Sequence, residues 1–585
     1  MNQIKRKLTS KKSSKEKTKK LRNELDQPII SIENLSNEIF YEIFDYLNGI
    51  DIYNAFAGLN HRFQQLLYSS SLRFKIELDY STSEEIFMNT YKQVILHHKH
   101  QIFSFYSWAS DHINKIISSC TIDSSFNCLE SVILNDIDFN VLSLLLMKLA
   151  DLSRLFSLSI STTDSLEELS NIYELIFALP KLYYLQFLTE PCEYDFETTV
   201  SLPIASCKQF STIKYLFIDH PCTFNELFVI MSYTLELSRL NFWSRNENYS
   251  DIEMIVPITL PNLTFISLDT SCISFDEFEM VITKIHCPLK VLYLGTRFEN
   301  IAFLDANRWE QLIQKYFPQL KKFSFHCYEH IKKKYGFPLN LIQRDRFTSS
   351  FWLKQQWIFE VHLDNTLIHY LIHPYRKRWY EDTPTKTINS SMDVYKSTRL
   401  IIKSNFNKNY VKLFNINIIR IRTIAKVYHL EINGEIFLRT LLDILLLLPQ
   451  LHSLKISSLV LPRRTYLTEY EAEILSFISN DNEIKKLCLD EIVHINELHF
   501  LIRLCHYMNY FQINSINNID VELFVRTVLM EMKVNYNHQL RSLYFHVPLV
   551  NDEIIRKLEK MINSEKLLLD YTIKYVFDKI YLEWK

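Results

Sequence analysis

The chain has 585 residues, which is too long for one compact core and predicts several domains or a repeat architecture. Apolar residues make up 47% and charged residues 23%, a balance typical of a soluble folded protein. The net charge of −2 gives the whole molecule no bias towards polyanions, and the 5 glycines form no phosphate-binding loop.

The first 22 residues carry ten Lys or Arg and one acid, Glu16, with few apolar residues. This composition predicts a disordered tail. Its two basic clusters, at 5–7 and 17–20, are typical of a nuclear-import signal, but a merely solvated tail explains them equally well.

The N-terminus is charged rather than apolar, so we expect no signal peptide. The longest purely apolar runs are far shorter than the roughly 20 residues that span a bilayer, so we expect no membrane association. Ten cysteines occur without a C-x-x-C pair, which fits a reducing compartment. These features together predict a cytoplasmic or nuclear protein.

Residues 32–67 predict a compact unit of two or three short helices. The first has apolar residues at helical spacing, namely Ile39, Ile43, Phe44 and Leu47. Asn48-Gly49 ends that helix, and Asp51 is the predicted cap of the second.

A pattern L-x-x-L-x-L recurs thirteen times at intervals of 24–33 residues within each run. The first run begins at Leu129, Leu155, Leu182, Ile213, Leu237, Leu263, Leu289 and Leu320. The second begins at Val427, Leu451, Ile484, Met508 and Leu540. The alternation that ends each hexamer predicts a short strand with one buried face.

Helical patterns lie between these strands, and several end at a proline just before the next strand. The predicted helices are Phe139 to Leu149, Leu166 to Leu179, Phe275 to Ile285, Trp309 to Phe317, Ile436 to Leu448 and Val521 to Met532. The alternative is an unrelated α/β domain with amphipathic strands, which the regular intervals make less favourable.

Residues 326–426 interrupt the repeats. Segments such as Ile358 to Leu363 and Leu400 to Ile402 predict strands, and the polar residues near 380–395 predict one long loop. We favour degenerate repeats that continue the array, and the alternative is a linker between two separate arrays.

Histidines raise the possibility of a metal site. His97, His98 and His100 cluster, whereas His326 with His330, and His369 with His373, are four apart and would share one helix face. Further ligands are missing from the sequence neighbourhood, so surface or half-buried histidines explain them better. We predict no metal and no cofactor.

No nucleophile elbow or metalloprotease helix occurs, and acidic pairs on the predicted helices suit solvated faces. We therefore predict no catalytic residues and no enzyme. The outward strand face would include Ser131, Ser267, Lys290 and Lys455. Exposed aromatic anchors for a partner could include Trp243, Tyr293 or Trp352, although core packing is more common for any one of them.

Residues 32–67 resemble the F-box, and the strand–helix repeats resemble a leucine-rich repeat. The regular asparagine ladder of such repeats is absent, because its position holds Ile137, Pro221, Ser271 and Arg297. The fold class expected is α/β, with a short N-terminal all-α F-box-like module followed by an irregular leucine-rich-repeat-like solenoid of alternating strands and helices.

The resemblance divides the chain into six segments. They are a basic disordered tail (1–27), an F-box-like helical module (28–78), a helical linker with the start of the array (79–128), a first repeat run (129–325), degenerate repeats with a long loop (326–426), and a second run with a C-terminal cap (427–585).

The resemblance implies a substrate receptor of a cullin–RING ubiquitin ligase. Its partners would be a Skp-type adaptor, through it a cullin, and an unidentified protein substrate, with neither nucleic acid nor membrane. The adaptor-binding residues carried over from the family are Leu35, Ser36, Glu38, Ile39, Ile43 and Leu47.

Two departures from the family pattern concern that docking. Ser36 stands where the family has a proline, and Phe63 stands where it has a tryptophan. Serine can cap a helix, so the fold should persist while adaptor affinity falls. One alternative is a leucine-rich scaffold whose F-box-like helices only cap the array, and another is an unrecognised enzyme.

Overall fold

The protein is described by a computed structural model. It describes residues 32–78, 91–108, 122–162, 169–189, 200–206, 209–244, 252, 255–271, 273–298, 301–330, 346–364, 366–381, 398–403, 411–462, 468–516, 520–534, 539–548 and 551–585. The chain forms two compact units, the first made of 1–163 with 179–182 and the second of 164–178 with 183–585.

The first unit joins a group of short helices to a parallel sheet. Its helices are α1 (Asn37–Phe44), α2 (Gly49–Phe56), α3 (His61–Leu67), α4 (Leu96–His98) and α5 (Phe139–Leu149). Its strands are β1 (Phe74–Leu78), β2 (Ile102–Ser107), β3 (Ser131–Leu134) and β4 (Ser157–Thr162), paired in that order and all parallel.

The second unit contains most of the strands. They are β5 (Tyr184–Thr189), β6 (Tyr215–Asp219), β7 (Arg239–Ser244), β8 (Ile258–Thr259), β9 (Phe265–Thr270), β10 (Ile285–His286), β11 (Val291–Arg297), β12 (Lys322–His330), β13 (Trp357–Asp364), β14 (Leu367–Pro374), β15 (Thr398–Lys403), β16 (Val427–Phe437), β17 (Ser453–Val460), β18 (Lys486–Leu489), β19 (Tyr510–Ile513), β20 (Ser542–His546), β21 (Tyr571–Val576) and β22 (Lys579–Trp584).

Helices alternate with these strands. They are α6 (Ser170–Phe177), α7 (Phe224–Ser232), α8 (Phe275–Thr283), α9 (Ala306–Tyr316), α10 (Ser350–Gln355), α11 (Val411–Ile424), α12 (Leu438–Leu447), α13 (Glu469–Asp481), α14 (Ile495–Leu504), α15 (Val521–Val534) and α16 (Asp552–Ser564). Side-chain capping boxes start several of them, with Thr223, Ser274 and Thr468 each bonded reciprocally to a glutamate three residues on.

Parallel pairing runs through β5, β6, β7, β9, β11 and β12. The antiparallel strand β14 then lies between β12 and β13. Parallel pairing resumes through β13, β15, β16, β17, β18, β19 and β20, and the antiparallel strands β22 and β21 follow. The segment 326–426 therefore contributes strands to one continuous sheet.

The strand and helix predictions are largely confirmed. Each of the thirteen hexamers coincides with a strand, and its last two apolar residues are buried. The helix predicted from Phe139 to Leu149 has those same bounds, and the others agree within a few residues. The fold is a mixed α/β one, in which many parallel strands alternate with helices. Residues 166–168 of one predicted helix, most of the loop near 380–395 and the basic tail 1–27 lie outside the described residues.

Several strands were not predicted. β1 lies inside the range assigned to the helical module, and β2 lies inside the range assigned to a helical linker with the start of the array. The other described strands without a predicted counterpart are β8, β10, β14, β21 and β22. Among the described helices, none has both the length and the apolar character that crossing a bilayer requires.

Candidate functional site

The helices of residues 37–67 enclose an aromatic core. The Phe40 ring lies 4.9 Å from the Phe63 ring at nearly a right angle, and the Phe44 and Phe56 rings are 5.0 Å apart. Phe40 and Phe63 are fully buried. Phenylalanines therefore hold the helices together, which leaves the aliphatic residues of α1 free to face outwards.

The residues predicted to bind an adaptor lie on the outside of this group of helices. Ile39 is 41% exposed and Leu47 37% exposed, while Leu35 and Ile43 are half-buried. Ser36 and Glu38 are exposed. α1 ends at Phe44, so Leu47 lies in the following turn and not in the helix as predicted.

Further apolar side chains of the same segment are exposed. Ile32 is 55%, Tyr46 90% and Leu59 57% exposed. The sequence reasoning selected none of them, although all three lie within the stretch that carries the F-box resemblance. Because water contact with several neighbouring apolar side chains is unfavourable, such a surface is typical of an interface.

Ser36 occupies the N-cap position of α1, but its side chain forms no capping hydrogen bond with the helix backbone. Its hydrogen bond goes to the carboxylate of Glu38, which lowers the pKa of Glu38. The second helix is capped by Asn48, whose Oδ1 accepts from the backbone N–H of Ile50, and not by Asp51. Asp51 lies in the first turn instead.

Asn48 and Gly49 also fasten α2 to the first strand. The Asn48 side chain donates to the carbonyl of Glu77 at 2.8 Å and accepts from the Glu77 N–H at 3.2 Å. Gly49 is buried, and a Cβ atom there would lie 2.9 Å from the Phe74 side chain. The helix thus approaches β1 as closely as a residue without a side chain permits.

Arg62, at the start of α3, holds the segment before α1. Its guanidinium donates to the carbonyl of Glu33, to the carbonyl of Leu35 at 2.5 Å and to Asn37 Oδ1 at 2.7 Å. The guanidinium also lies 5.5 Å from the centre of the Phe40 ring. Sequence reasoning assigned no role to Arg62, and only its place in the F-box-like stretch could have drawn attention to it.

A buried pair joins the end of α3 to the start of β2. Gln101 Nε2 donates to the carbonyls of Leu67, Ser69 and Leu72, and its Oε1 lies 2.7 Å from His98 Nδ1. Burial lowers the pKa of His98, so its imidazole is held neutral. His98 is therefore a structural residue of the core.

The other histidine pairs lie on strands rather than on helices. His326 is on β12 and His369 on β14, and their ring nitrogens are 2.9 Å apart. The prediction of one helix face was wrong, because residues four apart also share a face of a strand. Among the described residues, no group of three or more His, Cys, Asp or Glu is arranged to hold a metal ion.

The residues predicted for the outward strand face are accessible. Ser131 in the first unit, and Ser267 and Lys455 in the second, are half-buried, and Lys290 is exposed. Of the predicted aromatic anchors, Trp243 is 47% and Tyr293 39% exposed. Trp352 is fully buried against other aromatic rings and cannot be an anchor.

A row of charges crosses the middle strands of the second unit. Arg399 lies 3.0 Å from Glu431, and Lys455 lies 3.5 Å from Glu431 and 3.1 Å from Asp490. Glu360, next in the row, contacts Arg378 at 3.1 Å. Burial opposes the ionisation of Glu360, but its histidine and arginine partners outweigh burial and hold its pKa below the usual range. Each of these charges therefore lies beside a charge of the opposite sign.

Two buried thiols of the second unit are poor nucleophiles. Burial raises the pKa of Cys488 and that of Cys505 to about 12. Because only the thiolate attacks, neither group suits covalent catalysis.

A cleft of about 480 Å³ lies near the C-terminal strands of the second unit. Its wall includes Tyr510, Tyr544 and Tyr581, whose adjacent rings are 4.9 and 5.0 Å apart. The Tyr510 and Tyr544 hydroxyls donate to Gln512 and Glu583. Charged and polar side chains, among them Lys377, Glu381 and Asn514, also line the cleft.

Comparisons with known proteins give little further guidance. No protein-family model matches the chain, and no curated protein matches it. Among solved structures, the chain is similar to a TLR13–ssRNA13 complex, with 11% sequence identity and a TM-score of 0.22. The match covers 77% of this chain and 50% of that one, so the chain spans about half the length of that neighbour.

Proposed function

We propose that this chain is the substrate-recognition subunit of an SCF-type E3 ubiquitin ligase. Residues 32–67 would dock a Skp-type adaptor, and the strand–helix repeats would bind a protein substrate. The chain would contribute no catalytic group. It would act by raising the effective concentration of substrate lysines near a ubiquitin-loaded enzyme.

One observation carries this proposal. The aliphatic residues at the F-box-like docking positions, Ile39 and Leu47 above all, are exposed although the neighbouring phenylalanines are buried. A group of helices that served only its own stability would gain by burying these side chains. Their exposure is what an apolar interface with a second protein requires.

Arg62 supports the same proposal. By binding the carbonyls of Glu33 and Leu35 it fixes the backbone that presents Leu35 and Ser36. An ordered segment loses less conformational entropy on binding than a loose one does. Arg62 thereby offsets the missing proline at position 36, which would have fixed the same segment.

Co-purification with a Skp-type adaptor tests the proposal. We expect the wild-type chain to retain the adaptor and the double variant Leu35→Ala with Ile39→Ala to lose it. The matched control is Leu144→Ala with Met147→Ala, two residues of α5 that are each 51% exposed. An adaptor that fails to bind the wild-type chain refutes the proposal.

A second candidate function is a leucine-rich scaffold in which these helices only cap the sheet. The seating of Gly49 against Phe74 of β1 favours it, since α2 does cover the first strand. The same co-purification separates the two functions, because a cap alone needs no adaptor.

A further inference from the structure

Exposed cations collect at one edge of the sheet in the second unit, where β6, β7, β11 and β12 begin. We term this set the basic edge, and its members are Lys214, Arg239, Lys290, Lys321 and Lys322. Backbone hydrogen bonds join the starts of these strands. The N–H of Arg239 donates to the carbonyl of Lys214, and the N–H groups of Lys321 and Lys322 donate to the carbonyl of Lys290. The strand beginnings therefore place Lys214 beside Arg239, and Lys290 beside Lys321 and Lys322, with the uncharged start of β9 between the two groups.

The cations of the basic edge are not neutralised by described acids. All five side chains are exposed, and among the described residues none of them forms an ion pair. One acid, Glu236, occurs in the described parts of the loops that lead into these strands, and its carboxylate accepts a hydrogen bond from Asn262. Those parts are residues 209–214, 233–238, 260–264, 287–290 and 317–321. By contrast, the charges in the middle of the same sheet are paired with one another.

Aromatic rings are interleaved with these cations. The Arg239 guanidinium lies 5.6 Å from the Tyr215 ring centre and 5.5 Å from that of Phe265. Lys214 Nζ lies 5.1 Å from the Tyr183 ring centre. These contacts hold Lys214 and Arg239 against aromatic rings.

We propose that the basic edge binds an acidic, extended segment of the protein substrate, an inference that rests on the function proposed above. Carboxylates of the segment would pair with the cations of the edge. From β6 to β12 the edge covers four strand spacings, about 19 Å, which about six extended residues match.

The arrangement of the rings favours a peptide over a nucleic acid. Single-stranded nucleic acids bind by stacking bases on open aromatic faces. Here Arg239 lies over both Tyr215 and Phe265, and Lys214 lies over Tyr183, so ring faces are partly occupied by this chain's own cations. The exposed ammonium and guanidinium groups remain as donors, and these suit carboxylates.

The test uses the purified full-length chain and a fluorescein-labelled octaglutamate peptide, followed by fluorescence anisotropy at low salt. The edge variant is Lys214→Glu with Lys290→Glu. The control variant, Lys560→Glu with Lys574→Glu, makes the same change in net charge at two exposed lysines that form no ion pair with any described acid. Circular dichroism confirms folding, and Lys214→Gln with Lys290→Gln is a milder replacement should the first variant unfold.

We expect the edge variant to weaken octaglutamate binding about tenfold and the control less than twofold. Equal weakening by both variants, or no binding to the wild-type chain, overturns the proposal. Tighter binding of labelled octathymidylate, lost in the edge variant, overturns it in favour of a nucleic acid. Adaptor co-purification should be unchanged in the edge variant, so failure here is distinguishable from failure of the proposed function.

Discussion

The two described glycines of the helical group, Gly49 and Gly58, should respond in opposite directions to replacement by alanine. A Cβ atom at position 49 would lie 2.9 Å from Phe74 Cβ and Cδ1 and 3.1 Å from Ile76 Cδ1. At position 58 it would meet nothing within 4 Å. Comparing the two variants therefore separates the effect of the close contact between α2 and β1 from the effect of alanine on the backbone.

The magnitudes follow from this geometry. Overpacking at a close contact costs about 1–3 kcal/mol, and the higher helix propensity of alanine returns up to about 1 kcal/mol. We therefore expect Gly49→Ala to destabilise the helices by about 1–2 kcal/mol. Gly58→Ala should be neutral or stabilise by up to about 1 kcal/mol, because alanine narrows the unfolded ensemble.

Amide hydrogen exchange, followed by mass spectrometry on the full-length chain, measures the effect locally. Peptides covering residues 40–67 should exchange about 5- to 30-fold faster in Gly49→Ala and no faster in Gly58→Ala. If Gly49→Ala leaves exchange unchanged, or if both variants accelerate it alike, α2 is not seated on β1 as described.

Two further predictions concern the same unit. Replacing Arg62 by Ala should speed exchange in residues 33–37 and weaken adaptor binding about tenfold, since three acceptors lose a charged donor; unchanged exchange there would contradict its bracing role. Burial lowers the folded pKa of His98, so its stabilising contribution is complete above its unfolded pKa of about 6.5 and is lost as pH falls through the lowered value. Thermal unfolding at pH 7.5 and 5.5 should show a larger drop for the wild-type chain than for His98→Gln, and equal drops would refute this.

Much of the fold was predictable because its strands and helices follow from the spacing of apolar residues over short stretches of sequence. A hexamer that ends in alternating apolar residues has one buried face, and Leu292 and Leu294 show it on β11 with 0% and 2% exposure. The helix from Phe139 to Leu149 was equally clear, because it begins after the cap Asp138 and repeats its apolar residues at helical spacing.

Pairing between distant segments was not predictable in the same way. The hairpin of β13 and β14 places an antiparallel strand beside β12, and no local pattern shows that β14 pairs with a strand about 40 residues earlier. The same strand brings His369 to His326, which sequence spacing had assigned to separate helices.

The docking surface was predictable in part. Family spacing identified Ile39 and Leu47, which are exposed, but an apolar side chain looks the same in sequence whether it packs inside or faces a partner. Arg62 was missed because its acceptors are mostly backbone carbonyls, which carry no side-chain signal.

The hairpin of β13 and β14 has a consequence for the polarity of the second unit. Because β14 is antiparallel to both β12 and β13, two reversals cancel, and β13 runs in the same direction as β12. The strands from β15 to β20 keep that direction. A single antiparallel strand in this place would have reversed the direction of the strands from β15 to β20. Because two strands, β13 and β14, are inserted as a hairpin, the parallel strands on both sides of it begin at the same edge of the sheet. A partner that binds along the edge where the strands begin would therefore contact strands of the same direction before and after residues 326–426.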